Sequence, residues 1–173
     1  SYILFIFNLT FEKEFMRNDS KVAKIFLFTA VLSGSLWTGA YLMRLFIFYW
    51  LFEPEDFILK SYLTDENTGG VLYSLLPVLT TTIILYGLFI ITFIVFILTT
   101  KLKFKENGWL FISTIIVLLT LPFEGYLMTI DYKLVTILWS SSYSSETVIT
   151  LIIERFTIFG NFSLVELFSY FSL

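Results

Sequence analysis

The sequence contains no cysteine and no histidine among its 173 residues. Without thiolate or imidazole groups, the chain lacks the ligands of zinc sites, iron–sulfur clusters and most membrane haem and copper centres. Proton transfer through histidine is excluded for the same reason. We therefore expect this chain to carry no catalytic residue, no cofactor-binding site and no metal site.

Charged residues are also scarce. They make up 14% of the chain, whereas 57% of residues are hydrophobic and 20% are aromatic. Soluble domains are about 25% charged, so this composition predicts an integral membrane protein in contact with membrane lipids. The net charge is −3 and the basic residues are scattered. No basic surface is available for a phosphate backbone, and we expect no nucleic-acid partner.

Alanine occurs only three times and glutamine not at all, whereas phenylalanine occurs 21 times. Membrane helices normally use small residues freely for close packing, so packing does not explain this bias. A preference for codons rich in A and T does explain it and indicates an organellar gene. Residues 1–10 resemble neither a signal peptide nor an arginine-rich transit sequence, in agreement with synthesis inside the organelle. We expect a multi-pass protein of the mitochondrial inner membrane.

Long runs without charge predict the membrane-spanning segments, because crossing the hydrocarbon core takes about 20 apolar residues. Four segments qualify, at residues 22–52, 71–100, 108–130 and 147–168; the second carries no charge, and the other three are interrupted by a few charged residues. The sequence thus predicts an all-α polytopic membrane protein with about four transmembrane helices. We divide it into a region 1–70 with one candidate span and a three-helix region 71–173. Residues 1–10 are too short to span and are predicted to pack at the interface.

The basic residues predict the orientation. Four of them lie before the first span or at its very start, and three lysines follow the second, within residues 101–107. Both basic segments lie on the inner side if each span crosses once. The acidic segment 53–70 and the polar segment 131–146, both predicted as loops, then lie on the outer side.

Arg44 lies inside the first predicted span, and an ionisable group in hydrocarbon suggests a function. It is either the fixed cation of a proton channel or a structural residue whose long side chain reaches the outer acidic loop. We favour the structural interpretation, because no asparagine, histidine or second charge lies one helical turn away.

Glu124 follows Pro122 and precedes Gly125, a combination that resembles a proton-relay element. The alternative, which we favour, places Glu124 near the outer end of its helix. There it would be tied to water, to Thr120 or to a backbone donor freed near Pro122.

Glu154 and Arg155 are adjacent, so on a helix their side chains point about 100° apart and do not form an i,i+4 pair. We expect each to need a partner elsewhere, supplied by neighbouring protein. This predicts an obligate subunit of a complex.

Residues 72–165 resemble the N-terminal three-helix region of NADH dehydrogenase subunit 2, an antiporter-like membrane subunit of respiratory complex I. The similar motifs are Ser74-Leu75-Leu76-Pro77, Ile84-Leu85-Tyr86-Gly87, Asn107-Gly108-Trp109-Leu110 and Ile137-Leu138-Trp139. Val78 departs from the family, which often has glutamate at this position, and residues 1–70 have no counterpart.

The resemblance implies a split mitochondrial subunit whose partners are the remainder of subunit 2 and neighbouring membrane-arm subunits. The proton-relaying lysines and glutamates of the family lie in later helices. The chain would then be a structural, non-catalytic subunit of the proton-pumping NADH:ubiquinone oxidoreductase of the respiratory chain. The alternative function is a proton-channel subunit of a rotary ATP synthase, or another small transporter, in which Arg44 is essential.

Overall fold

The computed structural model describes residues 20–53, 57–140 and 143–158. This part of the chain is helical, apart from its connections and one isolated bridge between Phe52 and Leu59. Five helices follow one another: α1 (Lys21–Leu51), α2 (Asp65–Tyr73), α3 (Leu76–Thr99), α4 (Gly108–Trp139) and α5 (Ser145–Thr157). The all-α fold predicted from the sequence is confirmed.

Three segments are long and apolar enough to cross a membrane: α1, α2 together with α3, and α4. Helices α1 and α4 have 31 and 32 residues. At 1.5 Å per residue each is about 47 Å long, which exceeds the roughly 30 Å of hydrocarbon in a bilayer. These helices correspond to three of the four predicted spans.

The fourth predicted span is described only in part. Its described portion is α5, which has 13 residues and therefore a length of about 20 Å. Residues 159–168 lie outside the described residues, as does the apolar segment 1–10. For the described part of the chain, the count of membrane-spanning segments is therefore three.

Local sequence accounts for where the helices begin. The Ser20 hydroxyl accepts a hydrogen bond of 3.1 Å from the Ala23 amide and caps α1. At the start of α2, the side chain of Asn67 accepts a hydrogen bond of 2.9 Å from the Thr64 amide. The negative charges of Asp65 and Glu66 in the first turn stabilise the positive, N-terminal end of that helix.

Two predicted loops are wrong in part. Residues 65–70 were assigned to the acidic loop but form the start of α2. Residues 131–139 were assigned to a polar loop but extend α4. The second prediction fails because Asp131 ends the apolar run but not the helix: the helical spacing of buried residues continues through Leu134 and Leu138.

Helices α1 and α3 pack along much of their length. Gly34 of α1 permits this close approach, because a Cβ atom there would lie 3.0 Å from the ring of Phe89. Around this contact, an aromatic core joins α1, α3 and α4; its buried members are Ala30, Trp37, Tyr41, Leu45, Tyr86, Phe89, Phe93 and Val117.

A second, aliphatic core lies at the end of the bundle that carries α2 and the start of α5. Its members include Leu72, Leu79, Leu134, Leu138, Val148 and Ile152. At the same end, the Tyr143 hydroxyl donates a hydrogen bond of 2.6 Å to the Gly69 carbonyl. The α1–α2 connection and the α4–α5 connection therefore lie together, opposite the α3–α4 connection.

Because the chain has no native cysteine, single-cysteine variants report its orientation without interference. We expect Asp65→Cys and Glu146→Cys to react with an impermeant maleimide from one side of the membrane, and Lys103→Cys from the other. All three residues are exposed. Labelling of Asp65→Cys and Lys103→Cys from the same side would contradict the arrangement.

Candidate intramembrane charge cluster

Arg44 lies on the buried face of α1. The buried residues Trp37, Tyr41, Arg44, Phe48 and Leu51 follow one another at spacings of four and three. This spacing places the guanidinium toward the other helices and not toward the outer loop. Only 1% of Arg44 is exposed. The expectation that its side chain reaches the acidic loop is therefore wrong.

Helix α4 carries two carboxylates on one buried face. Its buried residues Val117, Thr120, Glu124, Leu127, Asp131, Leu134 and Leu138 alternate spacings of three and four. Glu124 and Asp131 are seven residues apart and lie two turns apart on this face. Glu124 lies near the middle of α4 and has no exposed surface. Its predicted location near the outer helix end is also wrong.

Asp131 joins two arginines from different helices. Its Oδ2 accepts a hydrogen bond of 2.6 Å from Nη1 of Arg44 in α1. Its Oδ1 accepts one of 2.9 Å from Nε of Arg155 in α5. Each carboxylate oxygen thus binds a different guanidinium, and Asp131 itself is 1% exposed. The contact fixes three helices to one another.

Arg155 extends the network to Glu124. Its Nη2 lies 3.4 Å from Oε1 of Glu124, and the side chain is 4% exposed. The ring of Tyr41 lies beside both guanidinium groups, with its centroid 4.6 Å from Cζ of Arg44 and 5.8 Å from Cζ of Arg155. A tyrosine ring at these distances attracts a cation. We refer to Arg44, Glu124, Asp131 and Arg155 as the charge cluster.

The charge cluster balances two positive and two negative side chains, which matters because uncompensated charges in a membrane are costly. Apolar residues enclose it on both sides along the bundle axis. The aliphatic core with Leu134 and Leu138 lies on one side, and the aromatic core with Val117 and Phe89 on the other.

The structure separates the adjacent residues Glu154 and Arg155, as the helical geometry predicts. Arg155 is buried, whereas Glu154 is only partly buried and makes no ion pair with another described residue. Both partners of Arg155 come from α4 of the same chain. The expectation that neighbouring protein must supply a partner for Arg155 is therefore wrong.

Asp131 is the residue that the sequence analysis missed. One signal for it was available, because Asp131 lies seven residues after Glu124 and so shares its helix face. The contribution of Arg44 has no such local signal, since 87 residues separate it from Asp131.

No family model, curated protein or solved structure matches this chain.

Asp131→Asn should strongly destabilise the bundle, because it removes the negative charge that both arginines share. Breaking a buried ion pair typically costs about 3–5 kcal/mol. The matched control is Glu106→Gln, which breaks the exposed Lys103–Glu106 pair at 3.1 Å and should cost less than about 1 kcal/mol.

Thermal unfolding in detergent, followed by aggregation or by protease sensitivity, compares the two variants. Equal stability of Asp131→Asn and Glu106→Gln would contradict a structural role for the charge cluster.

Proposed function

We propose that this chain is a structural subunit of a membrane complex, in which the charge cluster holds α1, α4 and α5 together. The observation that carries this proposal is the balance of the cluster: two arginines and two carboxylates, all at most 4% exposed, pair with one another within the chain. A balanced network serves to fix helix positions, because any change in its charge leaves a buried ion without compensation.

The outer faces of the helices support membership of an assembly in the membrane. Large apolar side chains point outward along α1, α3 and α4; examples with more than 60% exposure are Phe28, Phe46, Ile91, Leu98, Leu118 and Leu119. Such faces suit contact with lipid or with the apolar helices of other subunits.

The complex that we propose is the proton-pumping NADH:ubiquinone oxidoreductase of the mitochondrial inner membrane. The support is the resemblance of residues 72–165 to the start of NADH dehydrogenase subunit 2. Helices α3 and α4 begin at Leu76 and Gly108, within the motifs that begin the first and second helices of that family. In this proposal the chain completes a split antiporter-like subunit, beside the remainder of subunit 2, and does not move protons itself.

One observation favours the alternative, a proton-channel subunit of a rotary ATP synthase or another small transporter. Nη2 of Arg44 is buried and has no hydrogen-bond partner among the described residues. A buried guanidinium with remaining donor capacity is a feature of sites that bind or repel ions. The apolar cores on both sides of the charge cluster oppose this function, because proton transfer needs polar groups or water leading to the site.

The first test identifies the proteins that are assembled with this chain. We expect it to migrate on native gels only in a large assembly that stains for NADH dehydrogenase activity, and mass spectrometry to find other complex I membrane subunits there. A stable free monomer would contradict the subunit proposal. Migration with ATP synthase subunits would support the alternative.

The second test distinguishes a structural from a transport role for Arg44. Arg44→Gln and Asp131→Asn alone each leave the charge cluster unbalanced, and we expect each to lower the amount of assembled complex. The double variant, which combines Arg44→Gln with Asp131→Asn, retains the oppositely charged pair of Arg155 and Glu124. It should recover most of the roughly 3–5 kcal/mol lost in each single variant.

The readouts are the amount of assembled complex and the number of protons pumped per NADH oxidised in sealed vesicles. The structural proposal predicts that the assembled double variant pumps normally. An assembled double variant that no longer transports protons would assign a transport role to Arg44 or Asp131.

A further inference from the structure

An apolar groove lies between α1, α3 and α4, in the half of the bundle away from the charge cluster. Its volume is about 440 Å³. Small residues of α1 form one wall, and the side chains of Phe89, Phe93 and Val117 line the others; the small residues are Ala30, Gly34, Ser35 and Gly39. No charged side chain lines the groove, and Ser35 and Gly39 are exposed, so that it opens at the surface of the described bundle.

The groove is long. Its lining residues on α1 extend from Leu27 to Leu42, a distance of about 22 Å at 1.5 Å per residue. A continuous apolar groove of this length suits an extended hydrocarbon chain.

The end of the groove at Leu27 and Trp109 is basic. Both residues pack in a small core with Ala23, Phe96 and Leu110, to which Leu102 also belongs. Lysines flank this core in the sequence at positions 21, 24, 101 and 103, of which Lys103 pairs with Glu106 at 3.1 Å.

Lys24 lies 18 residues, or five helical turns, before Leu42, and therefore on the groove face of α1. Trp109 lines the groove at the same end, and tryptophan is enriched at the level of lipid head groups.

We propose that this groove binds one acyl chain of an anionic phospholipid, whose phosphate lies at the lysines of its basic end. The apolar lining matches the acyl chain, and the lysines match the charge of the head group. This proposal requires a membrane-spanning chain but does not depend on which complex contains it.

The experiment uses the intact complex, reconstituted into vesicles of phosphatidylcholine. Each vesicle preparation contains a trace of either phosphatidylglycerol or phosphatidylcholine with a photoactivatable group on one acyl chain. After illumination the chain is denatured, and trypsin then cleaves at Lys24 and Arg44 and releases residues 25–44, which carry the groove face of α1. We expect label on this peptide, and several-fold more from phosphatidylglycerol than from phosphatidylcholine.

Gly39→Leu fills the groove, because a Cβ atom at this position has no neighbour within 4 Å. We expect it to lower the label on residues 25–44 at least about fivefold, as a side chain replaces the acyl chain. Gly87→Leu is the matched control, since Gly87 is a helical glycine that also has open space but does not line the groove. It should leave the label unchanged.

Substitution of the lysines tests the head-group site without altering the lining. Lys24→Gln and Lys101→Gln should each lower the phosphatidylglycerol label about fivefold, and the phosphatidylcholine label should not change. In Lys24→Gln trypsin cleaves at Lys21 instead, so the label is read on residues 22–44. Equal labelling by the two lipids, or equal labelling of Gly39→Leu and Gly87→Leu, would overturn the proposal. A photoreactive side chain at Ser35 that joins to another protein instead of lipid would also overturn it.

Discussion

The contact on which the described bundle depends is that of one carboxylate with two guanidinium groups. Asp131 binds Arg44 through one oxygen and Arg155 through the other, at 2.6 and 2.9 Å. Since the two arginines lie on α1 and α5, this contact connects helices that are distant in sequence. Glu124 supplies the second negative charge, without which the two arginines would leave a net positive charge in an apolar interior. The arrangement of three helices therefore depends on the charge balance of four side chains.

The bundle exposes many large apolar side chains on its outer faces and encloses the charge cluster. This arrangement is expected in a membrane, where lipid solvates apolar side chains and leaves no driving force for their burial. Helix association then requires close packing and polar contacts. The contact of Gly34 with Phe89 supplies close packing between α1 and α3. The charge cluster supplies the polar contact among α1, α4 and α5.

The two halves of the bundle differ in packing. At the end with α2 and the start of α5, aliphatic side chains fill the space between the helices. In the other half, small residues of α1 leave the groove, whose end lies near the lysines of the α3–α4 connection. The closed half contains the α1–α2 connection, which is rich in acidic residues, and the open half contains the α3–α4 connection, which is rich in lysine. One half of the bundle is thus filled by the side chains of the chain itself, whereas the other half leaves a groove that suits an external ligand.

The sequence by itself determined the helical membrane fold, because apolar runs such as residues 71–100 are long enough to cross a bilayer and carry no charge. It also identified three members of the charge cluster, Arg44, Glu124 and Arg155, because ionisable residues are rare within apolar segments. It did not determine how these residues are used. It predicts an Arg44 side chain that reaches the outer loop and a Glu124 near a helix end, because neighbours within one helical turn say nothing about partners on other helices.

The tertiary structure decided which side chains pair with one another in the charge cluster. Asp131 lies 87 residues from Arg44 and 24 from Arg155, and no local pattern brings such positions together. Their contact depends on how α1, α4 and α5 pack. The extension of α4 to Trp139 decided that Asp131 is buried in a helix and not exposed in a loop. The physical reason is that helical periodicity fixes which face a side chain occupies, whereas the residue opposite that face is fixed only when helices from distant parts of the chain come together.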